Sequence, residues 1–334
     1  MNEFLFNILA WIRSWVGSWG WSMVVFTIMI RLVLTPLDYK SRVSMRKTQK
    51  LQPQLTALQK KYANDKEKLN QKTAELYKKE HINPLSSCLP LLLTWPILIA
   101  VFGAMRLAAN KELLIQLTDI LNNQVPNLEK WLWIRNLCMP DSPFAAAYPD
   151  LNTLRQIPAD QWQAWFNGLQ EIPVLIKDLG LTAESFDSKT LGTTIQSIFE
   201  VMGTNADYAA AIAPKAGWTF NLLITQLSLI NEYNGLMILP ILSAVSQLVM
   251  TKITGMNQTQ PAGGDQAPGA GAGKFMQWFF PIFSLVICFS YSAAFALYWV
   301  AGNLVSMGQT VVINKILENK EKAAQEMAGE GTVK

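Results

Sequence analysis

The chain has 334 residues, half of them hydrophobic, with 28 Lys+Arg against 24 Asp+Glu, three cysteines and one histidine. Three cysteines give no disulfide framework, and His81 alone builds no metal site, so no metal or other cofactor is expected. The apolar residues are gathered in runs at about 20–37, 84–105, 236–253, 275–291 and 293–314. That distribution excludes a large soluble domain and predicts an all-α polytopic membrane protein with five transmembrane helices.

Residues 1–18 hold an apolar stretch, Phe4 to Val16, too short to span a bilayer. It reads as an uncleaved interfacial helix on the outer face, anchored by Trp11, Trp15, Trp19 and Trp21. A cleaved signal peptide is the alternative, but a basic leading region and a small-residue cleavage site are missing.

The first span, 19–38, carries Arg31. At about 1.5 Å rise per residue, Trp19 to Asp38 covers roughly the 30 Å of a bilayer core. An arginine in the middle of a span costs about 2.5–3.5 kcal/mol on insertion scales, so it normally faces water or a partner. Thr27, Thr35 and Asp38 stand at i−4, i+4 and i+7 from Arg31 and share its face. One side of this span is therefore expected to be wet; the alternative is an arginine that bends towards the near interface to reach headgroups.

Residues 39–83 read as two amphipathic helices, 41–62 and 66–80, broken at Ala63-Asn64-Asp65, where Asn64 and Asp65 supply turn and N-cap chemistry. This basic hairpin lacks the interleaved aromatics of a nucleic-acid stacking platform, so no nucleic-acid recognition is predicted. The second span, 84–108, contains Pro90 and Pro96, and a kinked wall is expected. Residues 109–233 form an exterior insertion, small and mostly helical, with turn signals at Asn122-Asn123, Pro140-Asp141 and Pro149-Asp150. Its scattered carboxylates read as a solvated surface, and Cys138 as a lone thiol outside. The insertion has no metal spacing, nucleophile elbow or phosphate loop, and no enzymatic role is predicted.

The third span, 234–253, carries Ser243, Ser246 and Gln247 at helical spacing. A Gly-, Pro- and Ala-rich loop, 254–274, leads to the fourth span, 275–291, and the fifth, 292–315. Cys88 and Cys288, inside spans, read as packing residues. Asn303, Ser306, Thr310 and Asn314 draw a polar stripe along the fifth span. Alone, such a stripe reads as interhelical hydrogen bonding. Three spans with polar faces plus one arginine point instead to a shared hydrophilic cavity.

Charge orients the protein. Residues 39–83 hold twelve Lys+Arg against four Asp+Glu, whereas 110–232 hold seven against thirteen. The positive-inside rule then puts the hairpin, the 254–274 loop and the 316–334 tail in the cytoplasm, with the N-terminus outside.

The ordered set Gly20-Trp21-Ser22, Arg31, Pro36-Leu37, Gln52-Pro53, Asn83-Pro84-Leu85, Cys88-Leu89-Pro90 and Pro96-Ile97 resembles the YidC family of bacterial membrane protein insertases. Phe280-Pro281, Ala296-Leu297-Tyr298-Trp299 and Gly302-Asn303-Leu304 extend the resemblance over about 20–108 and 236–317. It implies five helices around a hydrophilic groove open to cytosol and lipid, in the plasma membrane, with Arg31 as the groove arginine. Thr27, Gln247 and Trp299 are the further groove residues nominated here. It also implies nascent membrane proteins and the lipid bilayer as partners, and brings the ribosome and the Sec translocon into consideration. The long exterior insertion departs from the family. So does the absence of the large periplasmic domain that precedes the core in Gram-negative members, which favours a single-membrane, Gram-positive type.

The resemblance implies that a client's short acidic tail enters the groove beside Arg31 while its apolar segment leaves sideways into lipid. The rival is a small-solute transporter or channel in which Arg31 binds an anion. Transporters often carry internal repeats, and none is visible here.

Overall fold

The computed structural model describes residues 2–80, 89–221, 226–253 and 270–330. The features expected at His81, Asn83-Pro84-Leu85 and Cys88, and most of the loop 254–274, lie outside the described residues.

Helix α1 (Asn2–Val16) stops at Gly17, whose φ of 79° suits glycine and whose N–H closes on the Arg13 carbonyl at 2.7 Å. Helix α2 (Trp19–Lys61) is one continuous rod of 43 residues. The first span and the first hairpin helix, read as separate pieces, are thus a single element. Helix α3 (Lys66–Lys79) follows, and the Asp65 carboxylate accepts from the Lys68 N–H at 3.0 Å, the expected N-cap. Helix α4 (Leu89–Leu121) runs well past the expected end of the second span at 108. After the insertion come α9 (Ile238–Ile253), α10 (Ala270–Ser290) and α11 (Ala293–Glu330).

Among the described residues, α2 and α11 are long and apolar enough to cross a membrane by length and composition, whereas α9 and the apolar part of α10 are shorter. Burial follows the pattern of a membrane protein rather than a soluble one. Leu32 and Val33 of α2, Ile241 and Val245 of α9, Ile282 and Val286 of α10 and Val311 and Val312 of α11 are exposed. Thr27, Ser243, Ser246, Ser284, Ser306 and Thr310 on the same helices are buried. Large apolar side chains outside and small polar ones inside suit a lipid solvent, in which helices associate through close packing and hydrogen bonds.

The chain divides into two compact units. The first comprises Met1–Phe26, Ala100–Leu242 and Leu285–Trp299; the second comprises Thr27–Ile99, Ser243–Ser284 and Val300–Lys334.

The first unit contains the insertion. Leu113, Leu117 and Leu121 of α4, one helical turn apart, join Ile195, Ile198 and Met202 of α7 (Leu191–Met202) in a continuous core. Trp162 of α6 (Ala159–Gly168) stacks on Phe186 at 5.8 Å, both fully buried. Short helices α5 (Leu151–Arg155) and α8 (Ala206–Ile212) start at Asp150 and Asn205, whose side chains accept from N–H groups of their first turns. The insertion also holds an antiparallel hairpin, β1 (Pro214–Asn221) and β2 (Gln226–Ile230), with Thr219 opposite Ser228 and Phe220 opposite Leu227. The expectation of a mostly helical insertion had not included these strands.

The expectations for Asp141 and Trp19 are corrected by their surroundings. Asp141 is fully buried rather than solvated, accepting from the N–H groups of Leu236 at 2.8 Å and Leu239 at 2.7 Å. It thereby caps the start of α9. Cys138, the lone thiol of the insertion, is buried, and burial, with Glu112 and Glu129 nearby, pushes it well above the usual thiol range. Trp19, expected as an interfacial anchor, is 5% exposed and donates its indole N–H to Glu112 at 2.9 Å.

Asn136 and Asn234 form a buried amide pair. The Asn136 N–H donates to the Asn234 Oδ1 at 2.8 Å, and the Asn234 Nδ2 reaches the carbonyls of Asn136, Met139 and Pro140. The loop held this way presents the Met139 and Leu137 carbonyls to the N–H groups of Ala293 and Ala294, at 2.8 and 2.9 Å. Those donors begin α11 and have no acceptor within their own helix. The insertion therefore fixes the first turn of α11.

Candidate functional site

The site lies in the second unit, where α2 and α11 run side by side. Arg31 is half-buried, on the face opposite the exposed Leu32 and Val33. Its guanidinium packs on α11 at Gly302. A Cβ at that position would stand 3.2 Å from Arg31 Nη2, 3.7 Å from Nε and 3.8 Å from Thr27 Cγ2. An alanine there would make the guanidinium yield by a few tenths of an ångström.

The backbone beneath Arg31 is pinned as well. Gln309 Nε2 donates to the Arg31 carbonyl at 2.9 Å and to Thr35 Oγ1 at 2.7 Å, while Thr35 Oγ1 donates to that same carbonyl at 2.9 Å. Among the described residues, no carboxylate lies in ion-pair range of Arg31, and no acceptor takes a hydrogen bond from its guanidinium. A positioned cation that makes no hydrogen bond or ion pair among the described residues, with the Asp38 carboxylate acting on it only through space, is arranged to meet an anion from elsewhere.

Further along, contact continues in the same chain sense. Arg42 donates to Thr310 Oγ1. Arg46 donates to the Asn314 carbonyl at 3.0 Å and pairs with Glu318 at 3.4 Å and Glu321 at 3.7 Å. Lys50 meets Glu321 at 3.1 Å. Partners that advance together along both helices make α2 and α11 parallel. The basic residues Arg42, Arg46 and Lys50 of the expected hairpin are thus bound to α11.

A second polar chain links α9, α10 and α11. Ser284 Oγ donates to Ser243 Oγ at 2.9 Å, Ser246 Oγ to the Ser243 carbonyl at 2.9 Å, and Asn303 Nδ2 to Ser246 Oγ at 2.9 Å. The stripe of Asn303, Ser306, Thr310 and Asn314 therefore makes hydrogen bonds within and between helices: Thr310 Oγ1 also donates to the Ser306 carbonyl at 2.6 Å. This is the commoner use of such stripes.

Of the nominated residues, Arg31 and Thr27 come together against Gly302. Gln247 is half-buried, its carbonyl accepting from Thr251 Oγ1 at 2.8 Å, and no hydrogen bond joins it to Arg31 among the described residues. Trp299 belongs to the first unit, where its ring lies 5.7 Å from that of Phe295 and its indole N–H is buried with no acceptor among the described residues. Gly302 and Gln309 were not nominated. Gly302 had a signal of its own, since a glycine inside a helix costs about 1 kcal/mol relative to alanine and needs a reason. Gln309 stands outside the stripe and had none.

The sequence profile of the family described as "60Kd inner membrane protein" matches residues 11–179 and 194–321. The chain belongs to that family. Among curated proteins similar to this chain, "Membrane protein insertase YidC" of Fusobacterium nucleatum is 40% identical over 144 residues, 43% of this chain and 62% of its own length. The protein of the same name from Anaeromyxobacter sp. is 32% identical over 224 residues, 64% of this chain and 37% of its own. That from Legionella pneumophila is 46% identical over 105 residues, 30% and 18%. The chain thus spans less than two thirds of the length of the curated relatives it matches. Membership in the 60Kd family and the inverted burial pattern make this a membrane protein.

Proposed function

We propose that this protein is a membrane protein insertase, moving short hydrophilic tails of nascent membrane proteins across the bilayer and releasing their apolar segments into lipid. The observation that carries the reading is Arg31, held against Gly302 in an apolar helix with no direct ion pair or hydrogen bond to its guanidinium among the described residues. The names of the relatives agree with it.

Five spans are proposed, at 19–38, 84–108, 234–253, 275–291 and 292–315, around a groove in which Thr27, Gln247 and Trp299 flank Arg31. The parallel course of α2 and α11 supports this count, because a first and a fifth span must cross in the same sense. The N-terminus and the insertion 109–233 are outside; the hairpin 39–83, the loop 254–274 and the tail 316–334 are cytoplasmic, an orientation supported by the charge asymmetry.

The mechanism is electrostatic and hydrophobic and includes no covalent step. An acidic tail enters from the cytoplasm, and the Arg31 guanidinium offsets part of its desolvation. The membrane potential favours outward movement of each negative charge by about 2.3 kcal/mol per 100 mV. Burial of the client's apolar segment in lipid supplies the rest of the favourable free energy. The ribosome and the Sec translocon are proposed as cytoplasmic and membrane partners.

Photo-crosslinking tests the groove. A photoreactive residue at Gln247 or Trp299 should capture the tail of a stalled client, and one at Val33, on the exposed face, should not. Equal capture from all three positions would count against a groove, and solute flux through proteoliposomes without client insertion would favour a transporter.

A further inference from the structure

Besides the proposed groove, the first unit contains a cleft of about 550 Å³ between α1 and α4, in the size range of small-molecule sites. Its walls carry Phe6, Arg13, Trp19, Lys111 and Glu112. The charges are arranged unequally. Arg13 is taken up by two carboxylates, Glu112 at 3.3 Å and Glu129, and its guanidinium lies 4.5 Å from the Trp19 ring centre. Glu112 also accepts the Trp19 indole N–H. Lys111 has no carboxylate partner among the described residues, and its ammonium sits 4.3 Å from the Phe6 ring centre. The neighbouring acids are thus occupied, and one exposed cation stands at the cleft on an aromatic support.

The surroundings say which anion suits it. The outer surface of α1 exposes Phe4, Trp11 and Trp15, at 66, 59 and 77%. A short helix with such a surface lies in the headgroup region of a bilayer, its aromatics at the boundary. A cation beside that surface meets phosphodiesters at high local concentration.

We propose that the cleft between α1 and α4 is a phospholipid site, in which Lys111 holds the headgroup phosphodiester and the Phe6 and Trp19 rings contact the glycerol and upper acyl region. The site requires that the chain resides in a bilayer, and does not depend on the insertase reading.

The test uses the full chain in liposomes of phosphatidylethanolamine and phosphatidylglycerol, doped with phosphatidylglycerol carrying a photoreactive headgroup. Labelled peptides are located by mass spectrometry. Label should concentrate in 6–17 and 108–115 relative to the exposed α10 stretch 282–286. Lys111→Gln should lower it about fivefold, the weight of one cation near an anionic surface, and Lys111→Arg should restore it. Excess soluble glycerol phosphate should leave the label in place. Displacement by glycerol phosphate would make the ligand a free phosphate ester and overturn the lipid assignment. Label spread evenly over exposed surface, or unchanged in Lys111→Gln, would overturn the site.

Discussion

Arg31 and Gly302 are 271 positions apart in sequence, yet the guanidinium Nη2 lies 3.2 Å from where a Cβ at Gly302 would stand. The cation of α2 is fitted to a notch in α11, and the fit can be altered from either side. Gly302→Ala should raise helix stability by up to about 1 kcal/mol, because alanine is the better helix former, while the guanidinium shifts by a few tenths of an ångström. Insertion of acidic-tailed clients should fall severalfold with no loss of thermal stability. Gly302→Val, with two more methyl groups in the notch, should reduce insertion further. Unchanged insertion in both variants, assayed in liposomes, would show that the close approach does not matter.

Asp141 anchors the start of α9 through the N–H groups of Leu236 and Leu239, and the Trp133 indole N–H reaches it at 3.2 Å. Gly235 makes room for it, since a Cβ there would stand 3.0 Å from Asp141 Cγ. Asp141→Ala should destabilise the protein by about 1–3 kcal/mol for each donor left without a partner. Asp141→Asn, which keeps one acceptor oxygen, should cost less. Thermal unfolding in detergent measures both.

Much of this was legible in the sequence, for physical reasons that differ by residue. Arg31, Thr27 and Thr35 share a face because helix geometry fixes which positions align, and the structure keeps Thr27 buried and Arg31 and Thr35 half-buried. Asp65 stands where an N-cap must stand, directly before a helix. The stripe from Asn303 to Asn314 was equally visible, but its partners Ser246, Arg42 and Arg46 depend on which helices lie side by side, and periodicity within one helix carries no such information. Asp141 was misread for the same reason: a carboxylate after a proline looks like a surface turn until the backbone it caps, almost a hundred residues later, is known. The hairpin of β1 and β2 was missed because its strands are short and the ladder is irregular between Pro214 and Thr219.

Gly20 shows the same kind of constraint at the start of α2. A Cβ there would lie 2.6 Å from Trp131 Cγ, and the indole is itself held edge-on between Trp21 and Trp133, at 5.6 and 5.9 Å. A rigid ring cannot give way as a flexible side chain would. Gly20→Ala should cost about 1–3 kcal/mol by overpacking, and Trp131→Leu should relieve most of that cost in the double variant. Additive losses in thermal unfolding would contradict the contact.

The Arg13, Glu112 and Glu129 cluster predicts a pH dependence. Burial raises the Glu129 carboxyl above the usual range; Arg13 opposes this and Glu112 adds to it. The folded state therefore keeps the Glu129 proton to higher pH than the unfolded chain does. Between the ordinary carboxylate range and the raised value, this residue's contribution to stability falls as pH rises. Glu129→Gln should remove that fall, even though it weakens the protein overall by loosening Arg13. A stability profile of the variant that still declines over this window at the original slope would assign the effect to another group.

The central claim is that the cation at position 31 assists passage of acidic tails. The most direct measurement is insertion of a short acidic-tailed single-span protein into liposomes containing only this protein, scored by protection of the tail from protease, for the unaltered chain, Arg31→Ala and Arg31→Lys. Protection well above empty liposomes, lost in Arg31→Ala and largely kept in Arg31→Lys, is the predicted result. Full protection in Arg31→Ala would contradict it.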